Sequence, residues 1–171
     1  LVDVAFFIGS AFFRAWQLPE DISASVTETV ESPVAAVWMV LNTAGVLEER
    51  FDEVEFENVV EDDFGLVSWT ARHEDRNYYT QFTRTQADQP ADGSAWVYAY
   101  SITPEDVPVQ TARAIQMRDL GNGSTEVRIT DDLVVKDRQL RMWMGVLGID
   151  SGVKNEMKAI TSLASAAEAA L

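Results

Sequence analysis

The chain contains no cysteine, which excludes disulfides, thiolate metal sites and cysteine nucleophiles. It has one histidine, His73, in a predicted hairpin turn beside Glu74 and Asp75, where a solvated surface residue is the reading rather than a general base. A zinc site would need more nitrogen or sulfur ligands than that. No G-x-S-x-G, phosphate loop or dinucleotide fingerprint occurs, so no catalytic residue, metal or cofactor is assigned. Positive charge is scarce as well. With 13 Lys and Arg against 28 Asp and Glu, the net charge is −15, and the basic footprint that nucleic acid or an anionic bilayer surface would require is missing overall.

What is present is a globular composition: 171 residues, 47% hydrophobic and 10% aromatic, enough for one domain with a real core. The clearest pattern is an amphipathic helix over Ser151–Leu171. Val153, Met157, Ile160, Ala164, Ala167 and Leu171 recur at steps of three and four, while Lys154, Glu156, Lys158 and Glu168 fall elsewhere. One face must be covered. The preceding hundred residues read as strands, so the natural cover is a curved antiparallel sheet wrapped around this helix.

Ile22–Val30 alternates as a strand with Ile22, Ala24, Val26 and Val30 on one face, and Glu28 on that same face. Ser32 as N-cap and Pro33 at the first helical position predict a helix burying Val34, Val37, Trp38 and Leu41, with a second short helix over Thr43–Arg50. Six further strands come next: Glu53–Val60, Leu66–Arg72, Tyr78–Thr85, Ala95–Ile102, Thr111–Leu120 and Thr125–Val135, the last two joined by the strong turn signal Gly121, Asn122, Gly123, Ser124. The acidic groups Glu61, Asp62, Asp63 and Asp131, Asp132 read as solvated turn or strand-edge charges. Leu140–Ile149, with Leu140, Met142, Trp143, Met144, Val146 and Leu147, is too apolar for an ordinary loop and reads as a lid, a membrane contact or a docking surface.

Residues 1–18 form a separate feature. The polar side chains Asp3, Ser10, Arg14 and Gln17 share a helical sector of about 60°, and Phe6, Phe7, Ile8, Phe12, Phe13 and Trp16 cover the rest. A cleaved signal peptide, a core helix and a membrane anchor compete for this stretch, and the anchor fits the narrow polar seam best. Sixteen residues rise about 24 Å, so a full span needs residues upstream of Leu1. The acidity of the downstream domain slightly favours its placement on the periplasmic side.

The run Val26–Leu41, VTETVESPVAAVWMVL, resembles the opening of the START/Bet v 1-like superfamily, the polyketide cyclase/dehydrase (SRPBCC) group, in which a strand meets an (A/S)-P step and a helix bearing V-W or V-F; Ser32, Pro33, Val37 and Trp38 match it. The stretch from Leu140 to Glu168 is similar to the lead-in and closing helix of bacterial members that carry an N-terminal membrane segment followed by a Leu-Pro step, here Leu18 and Pro19. The resemblance covers about residues 19–170 and departs from the family at Glu28, where an apolar residue is usual, and at Ala35 and Ala36, which replace a polar pair. It implies an α+β helix-grip fold: a seven-stranded curved antiparallel sheet around a long C-terminal helix, enclosing a pocket often used for hydrophobic ligands. It brings no universal catalytic motif.

Candidate pocket residues are Glu28, Trp69, Tyr98, Tyr100, Arg113 and Met117, although the aromatic side chains would equally fill the space. Arg113 is expected to bind a ligand carboxylate or to neutralise Glu28. Candidate membrane or partner contacts are Phe6, Phe7, Phe12, Phe13, Trp16, Leu140, Trp143, Met144 and Leu147. The leading expectation is a non-catalytic helix-grip domain, held in the cell membrane by a single-pass anchor, that serves as an accessory subunit of a larger membrane complex, with lipid and other subunits as partners and no nucleic acid. The alternatives are a binding or carrier protein for a hydrophobic small molecule, and a cyclase or dehydratase using Glu28, Arg113 or a tyrosine.

Overall fold

A computed structural model describes residues 17–51, 54–73 and 78–169, with the side chains of His73, Tyr78 and Leu147 excepted. Seven strands run in chain order: β1 (Asp21–Val30), β2 (Val54–Asp62), β3 (Gly65–His73), β4 (Tyr78–Asp88), β5 (Trp96–Pro104), β6 (Val109–Asp119) and β7 (Thr125–Val135). They form one antiparallel sheet in the order β1-β7-β6-β5-β4-β3-β2. Helices α1 (Val34–Asn42) and α2 (Leu47–Arg50), linked by a 3-10 turn at Ala44–Val46, connect β1 to β2, and α3 (Arg138–Leu147) and α4 (Ser151–Glu168) come after β7.

Two-residue alternation explains the strands. In β7 every odd position from Thr125 to Val135 is buried against the helices, and the even positions face outward or half outward. The helical period explains α4, whose Val153, Met157, Ile160 and Ala164 lie on its buried face. Burying such large apolar side chains contributes about 1.5–3 kcal/mol each. The main core is thus the space under α4 and α1, filled by Trp38, Leu41, Leu66, Trp69, Tyr98, Tyr100, Ile115, Met117, Val127 and Ile129. Trp69 stacks on Phe82 with centroids 5.1 Å apart and planes 6° from parallel.

The Gly121–Ser124 hairpin forms as the sequence indicates. Gly121 and Gly123 take φ of 74° and 84°, and the Leu120 amide donates to the Ser124 carbonyl at 3.0 Å. The start of α1 differs from expectation. Pro33 is the N-cap, with φ −65° and ψ 153°, rather than the first helical residue. Ser32 caps nothing: its hydroxyl is buried without a hydrogen-bond partner among the described residues, while its carbonyl accepts from Thr125 Oγ1 at 2.8 Å. That tie to β7 keeps the chain extended through Pro33 and moves the helix start to Val34.

Leu140–Ile149 is a second departure. Most of it is helix α3, capped at Asp137, whose Oδ1 accepts from the Leu140 amide at 2.7 Å. Leu140 and Met144 pack on a small cluster of Ile22, Leu133 and Val135, while Trp143 and Val146 face solvent. The side chain of Leu147 is not described. Among the described residues no helix is long and apolar enough to cross a membrane. The anchor expected over residues 1–18, with Phe6, Phe7, Phe12, Phe13 and Trp16, falls almost wholly on residues 1–16, outside the described residues.

The outer edge of the sheet is irregular. Pairing of β2 with β3 shifts register between Glu57 and Val60 and again between Val60 and Glu61, and Asn58 has a positive φ of 53°.

Candidate functional site: a cleft floored by paired charges

Strand register assembles the floor of the site. Tyr100 of β5 lies opposite Arg113 of β6, and Arg113 opposite Asp131 of β7, so three strands place these residues in one row facing the helices. Arg113 grips Asp131 at two points, Nε to Oδ1 at 2.6 Å and Nη2 to Oδ2 at 2.7 Å. From above, α4 lowers Glu156 onto the row, and its Oε2 accepts from Arg113 Nη1 at 3.1 Å. Arg50, the last residue of α2, arrives from the other side. Its Nε donates to Glu156 Oε1 at 2.7 Å, its Nη1 to the Leu41 carbonyl at 3.0 Å and its Nη2 to the Tyr100 hydroxyl at 3.0 Å.

All four charged residues are buried, and the two guanidinium charges balance the two carboxylates. Burial opposes the charge on Arg50 and Arg113, but the facing carboxylates and the tyrosines outweigh it, so both guanidinium groups are held above their ordinary pKa. Burial also pushes the Tyr98 and Tyr100 phenols up, so both stay protonated through neutral pH. The Tyr98 hydroxyl donates to the Leu66 carbonyl at 3.3 Å.

Above this floor is a cleft of ≈ 700 Å³. Phe51, Val54, Phe82 and Ile102 form an apolar wall, and Gly152, Asn155, Ala159 and Ser162 of α4 form the opposite one. Arg50, Arg113 and Glu156 lie at the base, with Glu49 and Lys158 also lining the cleft. Gly152 gives the floor room: a Cβ there would come within 3.2 Å of Arg113 Nη2 and 3.5 Å of Asp131 Oδ2.

Of the residues singled out in the sequence, Arg113 lines this cleft. Trp69, Tyr98, Tyr100 and Met117 are fully buried in the core beneath it. Glu28 is exposed on β1, beside a shallower hollow of ≈ 360 Å³ lined by Lys154, Lys158, Thr161 and Ser162 on another side of α4. Arg113 therefore does not neutralise Glu28; its partners are Asp131 and Glu156. Asp131 also corrects the solvated reading of the acidic pair, because only Asp132 faces out. Asp62 is exposed but not solitary: it is ion-paired with Arg84, whose hydrogen bonds hold its carboxyl below the usual range. Among the described residues no three Asp, Glu or His side chains converge as metal ligands would.

No protein-family model matches the chain, and no curated protein matches it by sequence. Its backbone does match solved structures. The Zhui aromatase/cyclase from Streptomyces sp. R1128 superposes with TM-score 0.63 at 18% identity, over 85% of this chain and 94% of that one. A START superfamily protein from Mycobacterium smegmatis gives 0.59 at 13%, over 84% and 97%. Norcoclaurine synthase from Thalictrum flavum, in complex with dopamine and hydroxybenzaldehyde, gives 0.60 at 14%, over 85% and 87%.

This is a helix-grip fold. At these identities the likeness is one of architecture, a curved sheet closed by the C-terminal helix. In this helix-grip domain the cleft lies between that helix and strands β4 to β6, and the space beneath it is closed by Trp69, Tyr98, Tyr100 and Met117.

Proposed function

We propose that the chain is a non-catalytic binding module that seats a small, uncharged, largely apolar molecule between α4 and strands β4 to β6. The observation that carries this reading is the pairing of an apolar wall, Phe51, Val54, Phe82 and Ile102, with a floor whose charges are all matched to one another. Such a floor favours neutral hydrogen-bonding groups over a free anion. It is also poorly suited to acid–base work, since both oxygens of Glu156 are held by arginines and the buried phenols keep their protons. The small organic molecules held by norcoclaurine synthase support the idea that this architecture accommodates such ligands. N-phenylnaphthylamine, an uncharged fluorescent probe, tests the proposal. Saturable enhancement that is lost in Ala159→Phe, where a ring enters the cleft, supports it; no saturable enhancement, or one unchanged in that variant, overturns it.

A second reading, an accessory subunit tethered in a membrane complex, is favoured by the solvent-facing Trp143 and Val146 on α3. Gentle solubilisation from native membrane, followed by measurement of particle mass, separates the two: a large particle with fixed partner chains supports the subunit, and a small particle with one bound molecule supports the carrier.

A further inference from the structure

The charged floor of the cleft is not sealed evenly. The side chains of Arg50 and Glu156 are 0% and 2% exposed, whereas those of Arg113 and Asp131 are each 7% exposed, so the open part of the network is the ion pair between β6 and β7. Gly152, in the first turn of α4, lines the cleft directly beside that pair. Glycine weakens a helix relative to alanine. Here a Cβ would stand 3.2 Å from Arg113 Nη2 and 3.5 Å from Asp131 Oδ2, covering both atoms. Glycine leaves them open to the cleft.

Both atoms have bonding capacity to spare. A guanidinium carries five N–H donors, and Nη2 uses one of its two on Asp131 Oδ2. Among the described residues no second acceptor bonds that nitrogen. Oδ2 takes this one bond and has a further lone pair. The two atoms lie 2.7 Å apart, so a single ligand oxygen can reach both.

The two capacities together select the chemistry. A carbonyl or ether oxygen can accept from Nη2, but it sets a lone pair against Oδ2 with no proton between them. A carboxylate sets a full charge there, and an ammonium group meets the guanidinium. A hydroxyl has a lone pair for Nη2 and a proton for Oδ2, so it satisfies both. We infer that the ligand of the cleft is an alcohol or phenol on an apolar body, and that its hydroxyl docks on Arg113 Nη2 and Asp131 Oδ2 beside Gly152. The apolar body then lies along Phe51, Val54, Phe82 and Ile102. This docking rests on the binding-module reading, whose ligand it defines.

The test is displacement of N-phenylnaphthylamine at neutral pH by three compounds of similar shape: para-tert-butylphenol, its methyl ether para-tert-butylanisole, and para-tert-butyltoluene. The wild type is expected to bind the phenol about tenfold more tightly than either of the others. Gly152→Ala should lose about tenfold in affinity for the phenol while binding the hydrocarbon within about twofold of the wild type, because its methyl group covers the ion pair without breaking it. Circular dichroism and a melting temperature matching the wild type confirm that the variant folds; if it does not fold, the wild-type order of the three compounds decides alone. Equal affinities in the wild type, or a preference for the phenol that survives in Gly152→Ala, overturn the hydroxyl dock and leave the binding module standing. If N-phenylnaphthylamine itself does not bind, the binding module falls and the dock falls with it.

Discussion

Arg113 and Asp131 face each other across β6 and β7 and share a two-point ion pair buried under α4, with Glu156 completing the contact from above. The charges cancel within the group, so removing one member exposes the others to an apolar surround. Glu156→Ala would leave Arg50 and Arg113 short of a counter-charge, and the expected loss is about 3–5 kcal/mol by chemical denaturation. Asp131→Asn keeps the shape but weakens the pair, with an expected loss of about 1–2 kcal/mol. A loss under about 1 kcal/mol in Glu156→Ala would show that the four residues do not act as one network.

The buried phenols predict an alkaline limit. Tyr98 and Tyr100 ionise less readily when folded than when unfolded. Their contribution to stability is therefore whole below about pH 10, the unfolded value, and is lost as pH rises from there toward the folded values. Tyrosinate absorbance followed against pH should show these two phenols ionising only together with loss of structure. A smooth titration of all the tyrosines near pH 10 with the fold intact would contradict the burial described.

Gly65 opens β3 with φ of 95°, and a Cβ there would run into the Asn42 carbonyl oxygen at the end of α1. Both the backbone conformation and the contact exclude a side chain. Gly65→Ala should cost about 2 kcal/mol or more, a fall in melting temperature of several degrees by calorimetry. Gly93, which has φ of 80° but open space around it, should lose less on the same change.

The fold was largely legible because strand alternation and turn chemistry are local signals. β7 and the Gly121–Ser124 turn could be read from neighbouring residues alone. The charged floor was not, since Arg50 and Glu156 are 106 residues apart and Arg113 and Glu156 are 43 apart. A usable signal did exist. Glu156 falls between Val153, Met157 and Ile160 at the spacing of the buried stripe, and Asp131 shares the inward parity of Val127, Ile129 and Leu133. Charge masked both positions, because acids are taken as solvated unless a partner is known. Helix α3 was obscured in a similar way: Gly145 and Gly148 interrupt the pattern, although the Asp137 cap and the Leu140–Met144 step mark a helix.

The register shifts in β2 bear on how these molecules behave when crowded. An open sheet offers its outermost strand as a template for a neighbour's backbone, and a flat edge invites end-to-end growth. Here the edge is bent at Asn58 and carries Glu55, Glu57, Glu61 and Asp62. An approaching copy meets amides out of phase and negative charge like its own. The strand that closes the sheet on this side therefore also insulates it from self-association.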